Sequence, residues 1–355
     1  MRVAVDAHMV GQPTAGDAGN ARYAAQLVDA LCATADRTDQ VAALIAHAEA
    51  HRLLPDAAIH ASVSAGGVKR LLRSGPAMLA ALESDAAVFT YVAPPRLPMP
   101  VALAIHDVTF MTNPEWLPVR ARVMLRRMVP AAARRAAAVL ALSHTARREI
   151  CDVLDLPESR VHVVSPAARH TFRPTPDADR RVAERFGLRR YCLAVGDLGP
   201  RKNLATLRAA VAGLRDDTLT LVVVGRGTPP AGWRDDPSIR LLGHVTDEEL
   251  VDLYAAAAVT VYPSLHEGFG LPALEALACG SPLVVSNRGA LPEVVADAAL
   301  VARPDVAGLG EAIRAALEPA TADRLRAAGP ARAECFRLRD MGESAWRVLR
   351  EVGRR

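Results

Sequence analysis

The sequence predicts an α/β protein built from two doubly wound parallel-sheet domains. Three observations predict it. The chain has 355 residues, a length that suits two domains. Short, almost wholly apolar runs alternate with helical patterns, and they do so twice. Between the two series lies SPAARHTFRPTPDAD, residues 165–179, with three prolines and no apolar period.

Each run justifies one element. In the first half the strand candidates are residues 2–7, 41–46, 86–92, 101–106, 137–142 and 161–164. In the second they are 191–196, 218–224, 239–242, 259–262, 283–286 and 299–302. Strands apolar along both faces belong in parallel sheets covered by helices on either side. The intervening segments supply those helices. In NLATLRAAVAGLRDD, for example, Leu204, Leu207, Val211 and Leu214 form one stripe. Residues 47–82 carry no readable pattern. The expected domains are 1–170 and 171–335. Residues 336–355, RLRDMGESAWRVLREVGRR and its flanks, read as an amphipathic helix that crosses back to the first domain.

Composition narrows the function. Apolar residues make up 51% of the chain and the net charge is +4, a mild basicity that suits an anionic ligand or lipid surface. No basic tract is interleaved with aromatics, so no nucleic-acid partner is expected. The five scattered cysteines include no CxxC pair, which argues against a zinc or redox centre and for reduced thiols in the cytoplasm. Of 43 basic residues only Lys69 and Lys202 are lysines.

Ligands of such sheets bind beyond the carboxyl ends of the strands, and the candidate residues lie there. GDAGNARY places Gly16 and Gly19 before a helix expected to begin near Asn20 or Ala21. The glycines either admit an anion to the backbone or form a plain turn. It lacks the GxGxxG spacing of a dinucleotide site. VALAIHDVTF runs a strand into His106, with Asp107 as a turn residue. GDLGPRKNLATL sets Arg201 and Lys202 at a helix start, where cations are unfavourable unless an anion joins them. LTLVVVGRGTPP ends a strand at Gly225. LLGHVTDEEL places Val245 in a strand-end loop before the capping box of Thr246 and Glu249. In HEGFGLPALEALACG, Glu267 stands in a loop and Glu275 in the first turn of a short helix. The N–H groups of Phe269, Gly270 and Leu271 lie between them, suited to phosphate or sugar oxygens. Each of these has a plainer reading too, as a turn, a cap or a solvated charge.

In order along the chain, GNARYAAQLVDAL, AIHDVTF, GDLGPRKNLATL, EGFGLPALE and GALPEVV together resemble glycosyltransferase family 4. Its E-x7-E signature is matched by Glu267 and Glu275. The resemblance implies a GT-B fold, two Rossmann-like domains facing a central cleft. It implies a retaining hexosyltransferase of the mannose or glucose type. The substrates would be a nucleoside-diphosphate sugar and a sugar or lipid-linked sugar acceptor in cell-envelope or exopolysaccharide assembly. No metal or other cofactor is implied. Arg201 and Lys202 would hold the diphosphate, Glu267 the donor sugar, Glu275 the ribose, and Phe269, Gly270 and Leu271 sugar and phosphate. Gly16 and Gly19 would approach the diphosphate, and His106 would sit near the transferred sugar. The sequence departs from the family at Asp197, where many members carry arginine, and at Ala21, where a second glycine is common. The alternatives are an epimerase or phosphorylase of the same fold, or a non-catalytic nucleotide-sugar binding protein. The stretch VRARVMLRRMVPAAARR, with Arg120, Arg122, Arg126, Arg127, Arg134 and Arg135, and the cluster Lys69, Arg70 and Arg73 raise a contact with the inner face of the cell membrane.

Overall fold

The computed structural model describes residues 1–12 and 18–354. They form two compact units, Met1–Ala167 with Arg337–Arg355 (unit 1) and Ala168–Phe336 (unit 2).

Unit 1 holds a seven-stranded sheet of β1 (Arg2–Asp6), β2 (Gln40–Ile45), β3 (Ile59–Ser62), β4 (Ala86–Thr90), β5 (Val101–Ile105), β6 (Ala138–Ala141) and β7 (Val161–Val163). Their order is β3-β2-β1-β4-β5-β6-β7. All pairs are parallel; Val3, for instance, faces Val41 on one side and Ala86 on the other. Six of these strands follow from the apolar runs. β3 does not. It is a short edge strand whose Ile59 is 39% exposed, so no buried alternation marks it.

Unit 2 holds six parallel strands, β8 (Tyr191–Val195), β9 (Thr220–Val224), β10 (Ile239–Gly243), β11 (Val259–Tyr262), β12 (Leu283–Ser286) and β13 (Leu300–Ala302). Their order is β10-β9-β8-β11-β12-β13. In both sheets the winding reverses at the centre, between β1 and β4 and between β8 and β11. At such a reversal the flanking loops diverge and leave a crevice at the strand carboxyl ends. The loops that follow β8 and β11 carry Lys202 and Glu267.

The cores are built from small aliphatics. Ala4, Ala42, Leu44, Ala87, Leu103 and Ile105 lie at the centre of one; Cys192, Ala194, Leu221, Val223, Val261 and Val284 at the centre of the other. Alanine at so many strand positions lets helices approach the sheets closely.

The helix Leu338–Gly353 lies on the helix Ala18–Ala33 within unit 1. Trp346 is 1% exposed and its indole N–H donates to the Leu31 carbonyl at 3.0 Å. Gly342 makes the close packing possible, because a Cβ there would stand 2.3 Å from the Ala30 carbonyl oxygen. Arg350 reaches Asp36 and Asp39 beyond the far end of the helix Ala18–Ala33.

Candidate functional site

In unit 2 the decisive geometry begins where β8 ends. Gly196 has φ +149, and a Cβ there would stand 3.0 Å from Lys202 Cε, so glycine leaves a path for the lysine chain. Asp197 caps the next turn by accepting from the Gly199 N–H at 2.8 Å. A 3-10 turn, Pro200–Lys202, follows, and Asn203 then takes a left-handed conformation, φ 54, that asparagine tolerates better than most residues. Its amide donates to the carbonyls of Pro263 and Pro304, at 3.3 and 3.0 Å. The Leu265 N–H donates to the Arg201 carbonyl at 2.8 Å. The lysine loop and the glutamate loop are thereby fastened together.

Between them sits a buried ionic cluster. Lys202 is 6% exposed and Glu267 7%. The Lys202 ammonium donates to Glu267 Oε1 at 2.8 Å and to the Tyr262 hydroxyl, and it stands 4.5 Å from the centre of the Tyr262 ring. Arg201 Nη1 donates to Glu267 Oε2 at 2.8 Å and to the His266 carbonyl at 3.2 Å. Burial opposes the Glu267 charge, but Arg201 and Lys202 overcome it and hold the carboxyl down at about 2. Burial also lowers Lys202, while Glu267 opposes that change. Two cations share one carboxylate, so the cluster carries a net positive charge next to a row of amide N–H groups. That is the electrostatic form of an oxyanion or phosphate receptor.

The glutamate loop is shaped by glycines. Gly289 has φ +56, and a Cβ there would meet the Glu267 carbonyl oxygen at 2.3 Å; the adjacent Ala290 N–H donates to that same oxygen at 2.8 Å. Gly270, φ +100, turns the chain into the helix Leu271–Ala278. No backbone carbonyl among the described residues accepts from the N–H groups of Phe269 or Gly270, and Leu271 opens the helix, where N–H groups lack intrahelical acceptors. Phe269 is buried edge-on against Phe336, 5.4 Å between ring centres. Glu275 lies in the second turn of this helix, not the first as the spacing suggested, and is 3% exposed. Proline at the second helical position starts the helix earlier than the sequence reading placed it. Arg169 approaches Glu275 at 3.7 Å, stacks on Phe172 at 4.6 Å and grips Asp247 through both terminal nitrogens at 2.6 and 3.0 Å.

Gly225 has a packing duty. With φ +152, a Cβ there would collide with the Gly196 carbonyl oxygen at 1.7 Å. Glycine at 225 therefore lets the ends of β8 and β9 close. Val245 is buried, and the adjacent capping box of Thr246 and Glu249 forms as the sequence indicated.

In unit 1, His106 follows β5 and is 8% exposed. Its ring lies between Tyr23 and Tyr91, 4.8 and 5.4 Å away. Its Nε2 has no hydrogen-bond partner among the described residues. Burial pushes its pKa down to about 4, against the pull of Asp107, so the imidazole is neutral at pH 7. Asp107 spends one oxygen on the N–H and hydroxyl of Thr109, at 2.9 and 2.6 Å, the turn role expected of it. Tyr91 holds a left-handed φ of 57, a strained state for an aromatic residue, directly beside the histidine. Gly16 lies outside the described residues. Gly19 falls inside the helix Ala18–Ala33, which starts earlier than expected; it is exposed, and a Cβ there would touch nothing within 4 Å. Arg70 is corrected as well. It is buried 7% exposed on Asp6, so it is no part of a surface basic cluster.

Tyr262, Asn203, Gly289 and Arg169 went unread in the sequence. Only Gly289 carried a signal, as the glycine of GALPEVV; the others touch the site through contacts between distant residues.

Residues 189–319, which include Arg201, Lys202, Glu267 and Glu275, match the family Glycosyl transferases group 1. Among solved structures, a sucrose-phosphate synthase from Thermosynechococcus elongatus superposes with a TM-score of 0.80 at 20% identity, covering 99% of this chain and 98% of that one. The fold is that of GT-B glycosyltransferases. Anabaena HepE in complex with UDP-glucose shares this GT-B fold with a TM-score of 0.73 at 17% identity, covering 99% of each chain. Among curated proteins, the O-antigen chain mannosyltransferase B of Escherichia coli is 36% identical over 220 residues, 56% of either chain. The D-inositol 3-phosphate glycosyltransferase of Frankia alni is 35% identical over 216 residues, 54% of this chain and 53% of that protein. The chain thus spans about half the length of these curated relatives.

Proposed function

We propose that this protein is a retaining family 4 glycosyltransferase. It moves a hexose of mannose or glucose type from a nucleoside-diphosphate sugar to a hydroxyl of a glycan or lipid-linked glycan. The setting is the assembly of an envelope polysaccharide. The observation that carries the reading is the buried cluster of Lys202, Arg201 and Glu267 at the switch point of unit 2. Mannosyltransferases and other sugar-transferring enzymes among the relatives, and UDP-glucose on a protein of the same fold, support it.

In this reading unit 2 holds the donor. As the anomeric bond breaks, negative charge grows on the departing diphosphate. Arg201 and Lys202, fixed in place before the reaction, favour that charge more than the ground state, and the N–H groups of Phe269, Gly270 and Leu271 add to it. These cations take the place of a divalent metal, so transfer proceeds in EDTA. Glu267 accepts from donor-sugar hydroxyls, Glu275 from the ribose. His106 in unit 1, neutral and with a buried, unpartnered Nε2, hydrogen-bonds a sugar hydroxyl. Gly225 and Val245 shape the wall of the donor site. The five cysteines are all free thiols, consistent with work in the cytoplasm at the inner membrane face.

A panel of nucleoside-diphosphate sugars, assayed with and without glycan acceptors, tests this reading. Transfer with retained anomeric configuration, read by proton NMR of the product, is the expected result. Epimerisation of the donor sugar without any acceptor would instead place the protein with epimerases of this fold, and cleavage of a glycan by added inorganic phosphate with phosphorylases.

A further inference from the structure

The helix Val119–Arg135 contains six arginines and no carboxylate. Its inner face is settled. Val129, Ala132 and Ala133 are buried, and Leu125 packs on the unit 1 core. Its first half carries a second apolar face, turned to solvent. Val119, Val123, Met124 and Met128 are 63, 44, 49 and 36% exposed. These are four of the ten exposed large apolar side chains among the described residues, gathered in ten positions of one helix. The spacings 119 to 123 and 124 to 128 align them in rows along the helix. Arg120 and Arg127 stand between the rows, and the six side chains line one shallow groove. None of the helix's arginines forms an ion pair among the described residues.

Resting on the lipid-linked acceptor reading above, we propose that this face of the helix Val119–Arg135 docks on an anionic lipid bilayer. Methionine and valine side chains enter the boundary between headgroups and acyl chains, and guanidinium groups meet lipid phosphates. The chemistry of the face selects lipid over a folded partner. It carries neither the aromatic anchors nor the directional polar groups that protein interfaces concentrate at their centres. It combines flexible apolar chains with unneutralised arginine, a match for an apolar layer beneath a sheet of phosphates. Its position also suits the task. The strands of unit 1 are parallel, so a helix leading from β5 to β6 must start at the carboxyl edge of the sheet, the edge that bears His106. A lipid seated there brings its attached sugar to the end of unit 1 where His106 lies.

The test uses the whole protein, without donor or acceptor, in flotation with two kinds of vesicle. One kind is phosphatidylcholine alone; the other is phosphatidylcholine and phosphatidylglycerol in equal parts. The protein is expected to float with the anionic vesicles and to be released by high salt. Arg120→Gln with Arg127→Gln should weaken that partition by at least about tenfold. Val123→Ser with Met124→Ser should weaken it comparably, while transfer to a small water-soluble acceptor stays unchanged. Equal flotation with both vesicle types, or flotation unaffected by either pair of substitutions, would overturn the proposal. So would a dimer in vesicle-free buffer that Val123→Ser with Met124→Ser disperses, because the face would then belong to a second copy of the chain. Failure here leaves the glycosyltransferase reading intact, since vesicle binding is measured apart from catalysis.

Discussion

Lys202 and Glu267, 65 residues apart in the chain, are joined by a 2.8 Å ion pair sealed from solvent. In the proposed reading, the pair accounts for a carboxylate beside the cations that would meet the donor diphosphate. Glu267 balances the charge of Lys202, which burial disfavours, and that of the partly exposed Arg201; in the proposed reading, donor phosphates would share that duty. Each partner is therefore tuned by the other.

Lys202→Ala should lower kcat by about a hundredfold or more, the scale on which a fixed group facing transition-state charge acts. Glu267→Ala should lower sugar transfer by a similar factor and leave affinity for the bare nucleoside diphosphate far less affected. Steady-state kinetics and calorimetry with the nucleoside diphosphate separate the two. Equal losses of transfer and nucleotide affinity in Glu267→Ala would count against its contact with the sugar.

Tyr262→Phe keeps the ring beside Lys202 and removes only the hydroxyl that accepts from its ammonium. A lost hydrogen bond to a charged group is worth about 1.5–3 kcal/mol. A fall in kcat/KM of roughly tenfold or more is expected, with the fold retained. A pH–rate profile should show the basic limb moved to lower pH, since the ammonium loses an acceptor that favours its charged form. Identical profiles for the two proteins would remove Tyr262 from the lysine's setting.

His106 gives unit 1 a pH signature. Its pKa is about 4 in the fold and near 6.5 in the open chain, so between those values the unfolded state binds more protons. Its neutral burial is fully tolerated above about 6.5, and stability is lost as pH falls from there to about 4. The total is roughly 3 kcal/mol. His106→Gln should flatten this part of the stability curve, read as urea midpoints of unit 1 between pH 7 and pH 4. Parallel curves for both proteins would contradict the buried, neutral imidazole.

Trp346→Ala empties a fully buried site and strands the Leu31 carbonyl, which should cost about 3–5 kcal/mol. The helix Leu338–Gly353 contacts the helix Ala18–Ala33, so the loss should appear in the melting of unit 1. Hydrogen exchange should quicken in both helices and leave β8 to β13 unchanged. Quickening confined to unit 2 would refute this packing.

The sequence alone determined the class of both sheets. Buried parallel strands need apolar side chains on both faces, and that demand is local, so twelve runs stood out in the letters. It also pointed to Arg201, Lys202, Glu267 and Glu275, because charge at a helix start and carboxylates around a tight glycine loop are legible in a few consecutive residues. Tertiary structure alone decided how those charges are used. That Lys202 and Arg201 share Glu267 and that Tyr262 completes the lysine's shell depend on β8 and β11 becoming neighbours; that Arg169 approaches Glu275 depends on the segment before β8 meeting the helices Asp247–Ala256 and Leu271–Ala278. The burial of Arg70 on Asp6 was hidden for the same reason, whereas edge strand β3 was hidden because its exposed side chains carry no apolar alternation. Hydrogen bonds and ion pairs between distant residues leave no periodic trace in a chain; they exist only once the winding of the sheet has set the loops side by side.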